Sequence, residues 1–431
     1  MNHTPKFVLL TLCLSLSTLS SAADWPRFRG SDGNGTSADS KIPLAWSENQ
    51  NMAWRTALPG PGSSSPVTWG DRVFVTCYSG YGVSGENIGS KEKLQRHLVC
   101  VNLYDGKTLW TKTVPAQLPE DESHGYITEH GYASNTPVTD GEHVFVFFGK
   151  TGVLAFDMDG NEQWRVGVGK ESSNRRWGSA ASPVMYKDMV IVNAAEEGRA
   201  IIALDKQTGR EIWKAEADSL ELAYGTPLLV ELQDSRVELV ISVPGEVWGL
   251  NPDTGKLKWF AETNLTGNIC PSVIAHGGIL YTFGGYRSAG SHAIRAGGKG
   301  DVTDTHTVWS SRESSYVATP VLHQGHLYWI DDRGQAHCLD AKTGESVYRE
   351  RVSGLSGSSR PVYASPVLVG DRLYVLSRYK GTFVLPAKPE FEILSTNTFE
   401  TDDSDSSGTP AITGDRMVLR SGRYLYCVSD R

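Results

Sequence analysis

Residues 203–213 read Ala203-Leu204-Asp205-Lys206-Gln207-Thr208-Gly209-Arg210-Glu211-Ile212-Trp213, and variants of this stretch recur through the chain. A short apolar strand ends at Leu204, residues 205–209 turn the chain, and a second strand carries a large aromatic. Gly209 supplies the positive φ of a tight hairpin, while Asp205 and Thr208 bond the turn's own backbone. Related stretches lie at 100–110, 155–164 (one residue shorter), 249–259 and 338–348. A second signal, a small or hydroxyl residue followed by proline and an apolar residue, falls at Pro66, Pro137, Pro183, Pro227, Pro271, Pro320, Pro366 and Pro410. These prolines are spaced by about 45 residues after a longer first unit, a period that marks a repeat architecture.

Each unit reads as four antiparallel strands, with Val, Ile, Leu, Tyr and Phe concentrated in the runs. Proline at the start of the first strand is tolerated because it owes no ladder donor there. The expected fold is therefore all-β, an eight-bladed β-propeller of four-stranded blades. The last unit holds only enough chain for three strands, so residues 51–58, with Trp54 in the aromatic slot, are predicted to complete it and close the ring. Trp54, Trp110, Trp164, Trp213, Trp259 and Trp309, with Tyr348, are expected to fasten blade to blade. Each buries ~150–250 Å², worth about 4–6 kcal/mol as an upper bound.

Within 431 residues, positions 1–23 read as a signal peptide: Lys6, an apolar run, then Ser21-Ala22-Ala23 as the cleavage site. Residues 24–50 read as a surface arm and 51–431 as the propeller. The net charge is −8, and loss of Lys6 with the leader makes it one unit more negative. That balance excludes nucleic acid as an expected partner, and the mature chain contains no transmembrane segment. The expectation is a monomer, exported to the periplasm or beyond. No C-x-x-C pair occurs, so zinc and dithiol chemistry lack their usual signature. Export permits disulfides, and Cys77 with Cys100, in neighbouring strands of one repeat, is the expected pair. Cys100, Cys338 and Cys427 occupy the slot held elsewhere by Ala203, Ala155 and Gly249, a slot for a small buried side chain.

The 203–213 repeat resembles the tryptophan-docking repeat of pyrroloquinoline quinone (PQQ)-like propellers, a superfamily that includes quinoprotein alcohol dehydrogenases and BamB. Asp24-Trp25-Pro26-Arg27-Phe28-Arg29-Gly30, His130-Gly131-Tyr132-Ala133-Ser134 and residues 297–303 are similar to secreted PQQ-like repeat proteins abundant in planctomycetes. For the dehydrogenases the resemblance implies PQQ with calcium and often two adjacent cysteines. This chain has no Cys-Cys and no calcium set that matches residue by residue. The repeat shapes blades and does not itself hold the quinone.

Chemistry is expected where loops break the repeat, on the face opposite the Asp/Thr/Gly turns. His124, Tyr126, Glu129 and His130 lie in one long connection; a His/Glu/His group suits metal binding or proton transfer, but loop histidines more often cap or hydrogen-bond such a connection, and no metal site is assigned. Arg175, Arg176, Trp177, Glu196, Arg333, Arg360 and Arg378 are expected to line a polar funnel on that face, suited to anionic groups, sugar rings or protein surfaces. A solvated rim of internal ion pairs is the alternative. Residues 297–303 fail the phosphate-loop pattern, since Ala293 and Gly300 stand where Gly and Ser/Thr are required, and are expected as an insertion folded over the fifth blade. Serine-hydrolase and zincin motifs are absent.

The reading is an exported, non-catalytic binding or scaffold module for an envelope protein or glycan. The alternative is a PQQ- and calcium-dependent alcohol or sugar dehydrogenase. A third possibility is carbohydrate processing, with Glu129, Glu196 or Glu197 as the acid.

Overall fold

The computed structural model describes residues 24–38, 41–83, 88–284, 289–355 and 359–430. The expected leader therefore lies outside the described residues. The third unit shows how the blades are made: Val184–Tyr186, Met189–Ala194, Ala200–Asp205 and Glu211–Glu216 pair antiparallel in chain order. Alternate side chains of the middle strands enter two different cores. Ile201 and Ala203 pack with Leu239 and Ile241 of the next blade, whereas Ile202 and Leu204 pack with Phe145 and Phe147 of the previous one. Burial on both faces explains why these strands are continuously apolar rather than alternating. Eight such sheets form, and the last consists of Met52–Ala57, Tyr424–Ser429, Arg416–Arg420 and Ala411–Thr413 in that order. The N-terminal strand closes the ring as expected.

In every unit but the seventh, the small residue of the third strand sits opposite the aromatic: Cys100 with Trp110, Ala155 with Trp164, Ala203 with Trp213, Gly249 with Trp259, Ala293 with Trp309, Cys338 with Tyr348, Cys427 with Trp54. The register breaks beside each of these pairs, and such a bulge bends the strand and re-aims its side chain. The indole N–H groups of Trp54, Trp110, Trp164, Trp213 and Trp309 donate to Leu103, Met158, Lys206, Pro252 and Ala341 of the following blade at 2.8–3.0 Å. Their rings cover the turn glycines; a Cβ on Gly209 would stand 2.7 Å from Trp164.

Trp259 departs from its expected docking role. Its N–H donates to Glu238 of its own blade at 2.7 Å, and its ring lies over Gly249, where a Cβ would come within 2.1 Å. The cause is the insertion of unit five. Gly300–Asp301 pairs in parallel with the outer strand of blade four instead of lying over blade five, and Val302 joins the core around Trp259. The expected disulfide is also corrected: both thiols are free, because Cys77 opposes His97 and Cys100 opposes Phe74. Cys77 packs with Val75 and Cys100 with Phe74 and Leu98, on opposite faces of the sheet.

Around the channel axis the first strands are joined by a closed circle of hydrogen bonds. The amides of Ser65, Thr136, Ser182, Thr226, Ser272, Thr319, Ser365 and Thr409 each donate to the hydroxyl of the next residue in that series, and Thr409 donates back to Ser65, at 2.9–3.1 Å. Seven of these hydroxyls immediately precede the proline of their unit. In the fifth, Pro271 comes before Ser272 and Val273 takes the equivalent place, so Pro271 is not in register with the other prolines.

Residues 24–38 and 41–50 run across the turn face of the ring. Trp25 pairs with Thr68, the Pro26 carbonyl accepts from Thr139, and Thr36–Ser37 adds in parallel to Val367–Val369 of blade seven. Arg29 is fully buried and donates to the carbonyls of Gly33, Asn34, Thr319 and Pro320. Blade seven has no terminal tryptophan, and Trp46 from this segment stacks on its Tyr374 with centroids 6.2 Å apart.

Gly209→Ala is expected to lower stability by about 2–4 kcal/mol, since a left-handed alanine costs roughly 1–2 kcal/mol and Trp164 must also give way. Gly70, at φ +58 with open space around it, isolates the backbone part. Gly70→Ala should cost only about 1 kcal/mol, and urea titration of both variants measures the difference.

Candidate functional site

Connections between blades carry their side chains over the loop-face end of the channel and enclose a cavity of about 180 Å³. The hydroxyl circle and Phe28 of the N-terminal segment line its depth, and Tyr126, Trp177, Tyr224, Tyr316 and Tyr363 form its walls. Tyr126 lies 4.2 Å from Trp177, which stacks on Tyr224 at 5.7 Å. The Arg360 guanidinium stands over Tyr126 and Tyr316 at 4.7 and 5.4 Å, and Arg175 over Trp177 at 5.9 Å. Cys270 also lines the space, and burial pushes its thiol up to about 12, so it is an un-ionised apolar contact.

The long connection ends in a short helix, Ile127–His130, that brings three of its expected residues inward. Tyr126, Glu129 and His130 all line the cavity, whereas His124 is exposed and does not. Both His130 ring nitrogens are occupied, by Ser134 Oγ at 2.6 Å and the Trp177 carbonyl at 2.8 Å. Burial lowers its pKa, so the ring is a neutral brace for Trp177 rather than a free metal ligand. Glu129 pairs with Arg378 at 2.7 Å, and Arg378 also grips Asp405. Burial disfavours the Arg378 charge, but Asp405 more than restores it and holds the group above its usual pKa. Arg378 is 5 % exposed, a buried tie between two loops instead of an open rim charge. Arg175, Arg176 and Arg333 are exposed and do not line the cavity.

Glu196, expected in the funnel, is buried below it and accepts from the Ser173 amide and hydroxyl at 3.1 and 3.0 Å. It belongs to a charged layer beneath the rim, where Arg96 meets Glu120 at 2.5 Å and Lys150 meets Asp121 at 2.7 Å. Glu197 lies against this layer at 1 % exposure, with Oε2 unpartnered. Desolvation, then the neighbouring Glu196, pushes its pKa up to about 8.

Three walls of the cavity were missed in the sequence. Tyr224, Tyr316 and Tyr363 stand two or three residues before the hydroxyls Thr226, Thr319 and Ser365. That recurring aromatic–hydroxyl pairing was the available signal.

A family model described as "Outer membrane protein assembly factor BamB" matches residues 95–350. The chain belongs to this family. BamB from Moraxella catarrhalis is 16 % identical, over 88 % of this chain and 97 % of that one, with a TM-score of 0.61. A europium-containing methanol dehydrogenase is 12 % identical over 94 % and 98 % of the two chains, with a TM-score of 0.65. The computationally designed Ika8 protein is 12 % identical over 90 % and 99 %, with a TM-score of 0.56. At these identities the likeness is one of fold. No curated protein matches the chain in sequence. Among the described residues no helix is long and apolar enough to cross a membrane.

The BamB-family fold is shared with quinoprotein dehydrogenases, which raises the question of whether quinone and calcium fit here. Calcium takes about six to eight oxygen ligands rich in carboxylate. Among the described residues lining the cavity, Glu129 is the sole carboxylate, and it is already paired with Arg378. The residues present do not fit a calcium-bound quinone.

Glu197 predicts a pH dependence. Its folded-state pKa lies above the ordinary glutamate value near 4.5, so the folded form holds the proton longer than the unfolded chain. The associated stability is full below that ordinary value and is lost as pH rises towards about 8. Glu197→Gln should flatten this slope and leave the protein about 1–3 kcal/mol more stable than wild type at pH 8.5. Urea midpoints at pH 5, 7 and 8.5 measure both effects.

Proposed function

We propose that this member of the BamB family is an exported, non-catalytic binding propeller of the cell envelope, periplasmic or extracellular, which takes a sugar ring of an envelope glycan into its channel mouth. The supporting observation is the wall of Tyr126, Trp177, Tyr224, Tyr316 and Tyr363 above a circle of serine and threonine side chains. Aromatic faces stack on the C–H face of a pyranose, and hydroxyls and Glu129 suit its O–H groups. The cavity is closed behind by the segment that carries Phe28 and Arg29, so a ligand enters from the loop face only.

Glycoside hydrolysis needs two carboxyl groups flanking one bond. Glu129 lines the cavity paired to Arg378, while Glu196 is held by Ser173 and Tyr224 in the layer below. This disposition favours binding over turnover. The family description, an outer membrane assembly factor, supports an envelope setting.

Immobilised protein should retain polysaccharide from envelope extract after protease digestion, and Trp177→Ala should weaken retention about tenfold, the effect of losing roughly 1.4 kcal/mol of stacking. The melting temperature of the variant should stay close to wild type, because Trp177 is only half-buried. Retention that is destroyed by protease, or unchanged in Trp177→Ala, overturns the glycan reading.

A further inference from the structure

Among the described residues five arginines are buried: Arg27, Arg29, Arg96, Arg378 and Arg420. Four are fully engaged. Arg29 is ringed by backbone carbonyls, Arg96 bonds Glu120, Thr151 and the Tyr132 carbonyl, and Arg378 bonds Asp405 and Glu129. Arg420 bonds Ser64 and the Thr76 carbonyl. Arg27 is the exception. It is 8 % exposed, its guanidinium makes no hydrogen bond or ion pair with any described residue, and its Nε is sealed from solvent without a partner. A cation taken out of water and left unpaired is strongly disfavoured, and burial accordingly pulls its pKa down to about 10 despite the field of Asp32.

The group does not lie in packed protein. It lines a cavity of about 400 Å³ on the turn face, between the N-terminal segment and the first strands of blades two to five. Val138, Met185, Leu228 and Val230 supply apolar wall. Gly33 makes room for the guanidinium: a Cβ there would stand 2.1 Å from Arg27 Nη2 and 3.0 Å from Leu228 Cδ1. Asp32 and Glu231 also line the space, both exposed, and the two Asp32 oxygens accept from the amide and side chain of Asn34 at 2.9 and 3.1 Å. Neither forms an ion pair with Arg27. The buried charge of the cavity is therefore a single positive fork beside hydrocarbon. A guanidinium matches a carboxylate through two parallel hydrogen bonds.

We propose that this cavity binds a small apolar carboxylate, with Arg27 gripping the carboxylate group and the side chains of Leu228, Val230 and Met185 receiving the tail. The site is separate from the channel mouth, with which it shares no lining residue.

The test uses hexanoate as the probe, with hexanamide as its uncharged counterpart and inorganic phosphate as a bare oxyanion, on the mature chain. Hexanoate should raise the melting temperature saturably, and hexanamide and phosphate should not. Arg27→Met should reduce hexanoate affinity at least tenfold by calorimetry while melting no lower than wild type without ligand, because it removes an unpaired buried charge. Should that variant fail to fold, Leu228→Glu gives a second reading. Its carboxylate is placed beside Arg27, so it should raise the melting temperature and cancel the hexanoate response. Equal shifts in wild type and Arg27→Met, no shift with hexanoate, a shift with phosphate alone, or an undiminished hexanoate response in Leu228→Glu would each overturn the proposal.

Discussion

The circle of eight amide-to-hydroxyl hydrogen bonds around the channel is the constraint on which the rest of the ring depends. The first strand of each blade is a sheet edge facing the axis, and an edge amide without a partner is costly. Here each hydroxyl accepts the amide of the preceding blade, and in seven units the next residue is proline, which has no N–H to satisfy. Local chain chemistry and long-range assembly thus meet at one residue per unit. Successive members lie 44 to 47 residues apart in sequence after the first, longer interval of 71. Replacing the Pro271 position by the Ser272 position makes the fifth unit regular, so the hydroxyl is a truer marker of the period than the proline.

A second layer of fastening lies at the rim, where a bulge turns each aromatic onto its neighbour's turn. This layer follows the first and tolerates exceptions. Blade seven lacks the terminal aromatic and borrows Trp46 from the N-terminal segment, and Trp259 turns back onto Gly249 where an insertion covers the usual docking place. The glycine at 249, where other units carry alanine or cysteine, is explained by that inward ring.

The repeat, the eight blades and the closing strand were legible in the sequence because each rests on local chemistry repeated many times: a hydroxyl before proline, an Asp-x-x-Thr-Gly turn, a tryptophan. The site was legible only in part. Tyr126, Glu129, His130, Trp177 and Arg360 meet at the channel mouth, but Tyr224, Tyr316 and Tyr363 come from three further blades and converge only once the ring exists. Arg378 and Glu196 look like surface charges in a polar loop; their burial depends on Glu129, Asp405 and Ser173, partners distant in sequence. Cys77 and Cys100 failed as a pair for a simpler reason. Neighbouring strands place two residues together only when register and face agree, and the difference in their offsets puts these on opposite sides.

The pairing of Met52 with Val428 joins segments from the two ends of the propeller. Until Tyr424–Ser429 is in place Met52–Ala57 has no partner strand, so the ring cannot close before both segments are present. Closing so long a loop is slow, because its entropy is lost before the final ladder rewards it. Until that closure Met52–Ala57 and Tyr424–Ser429 stay two unpaired strand edges, so loss of either segment leaves an open ring with an edge free to pair with another chain.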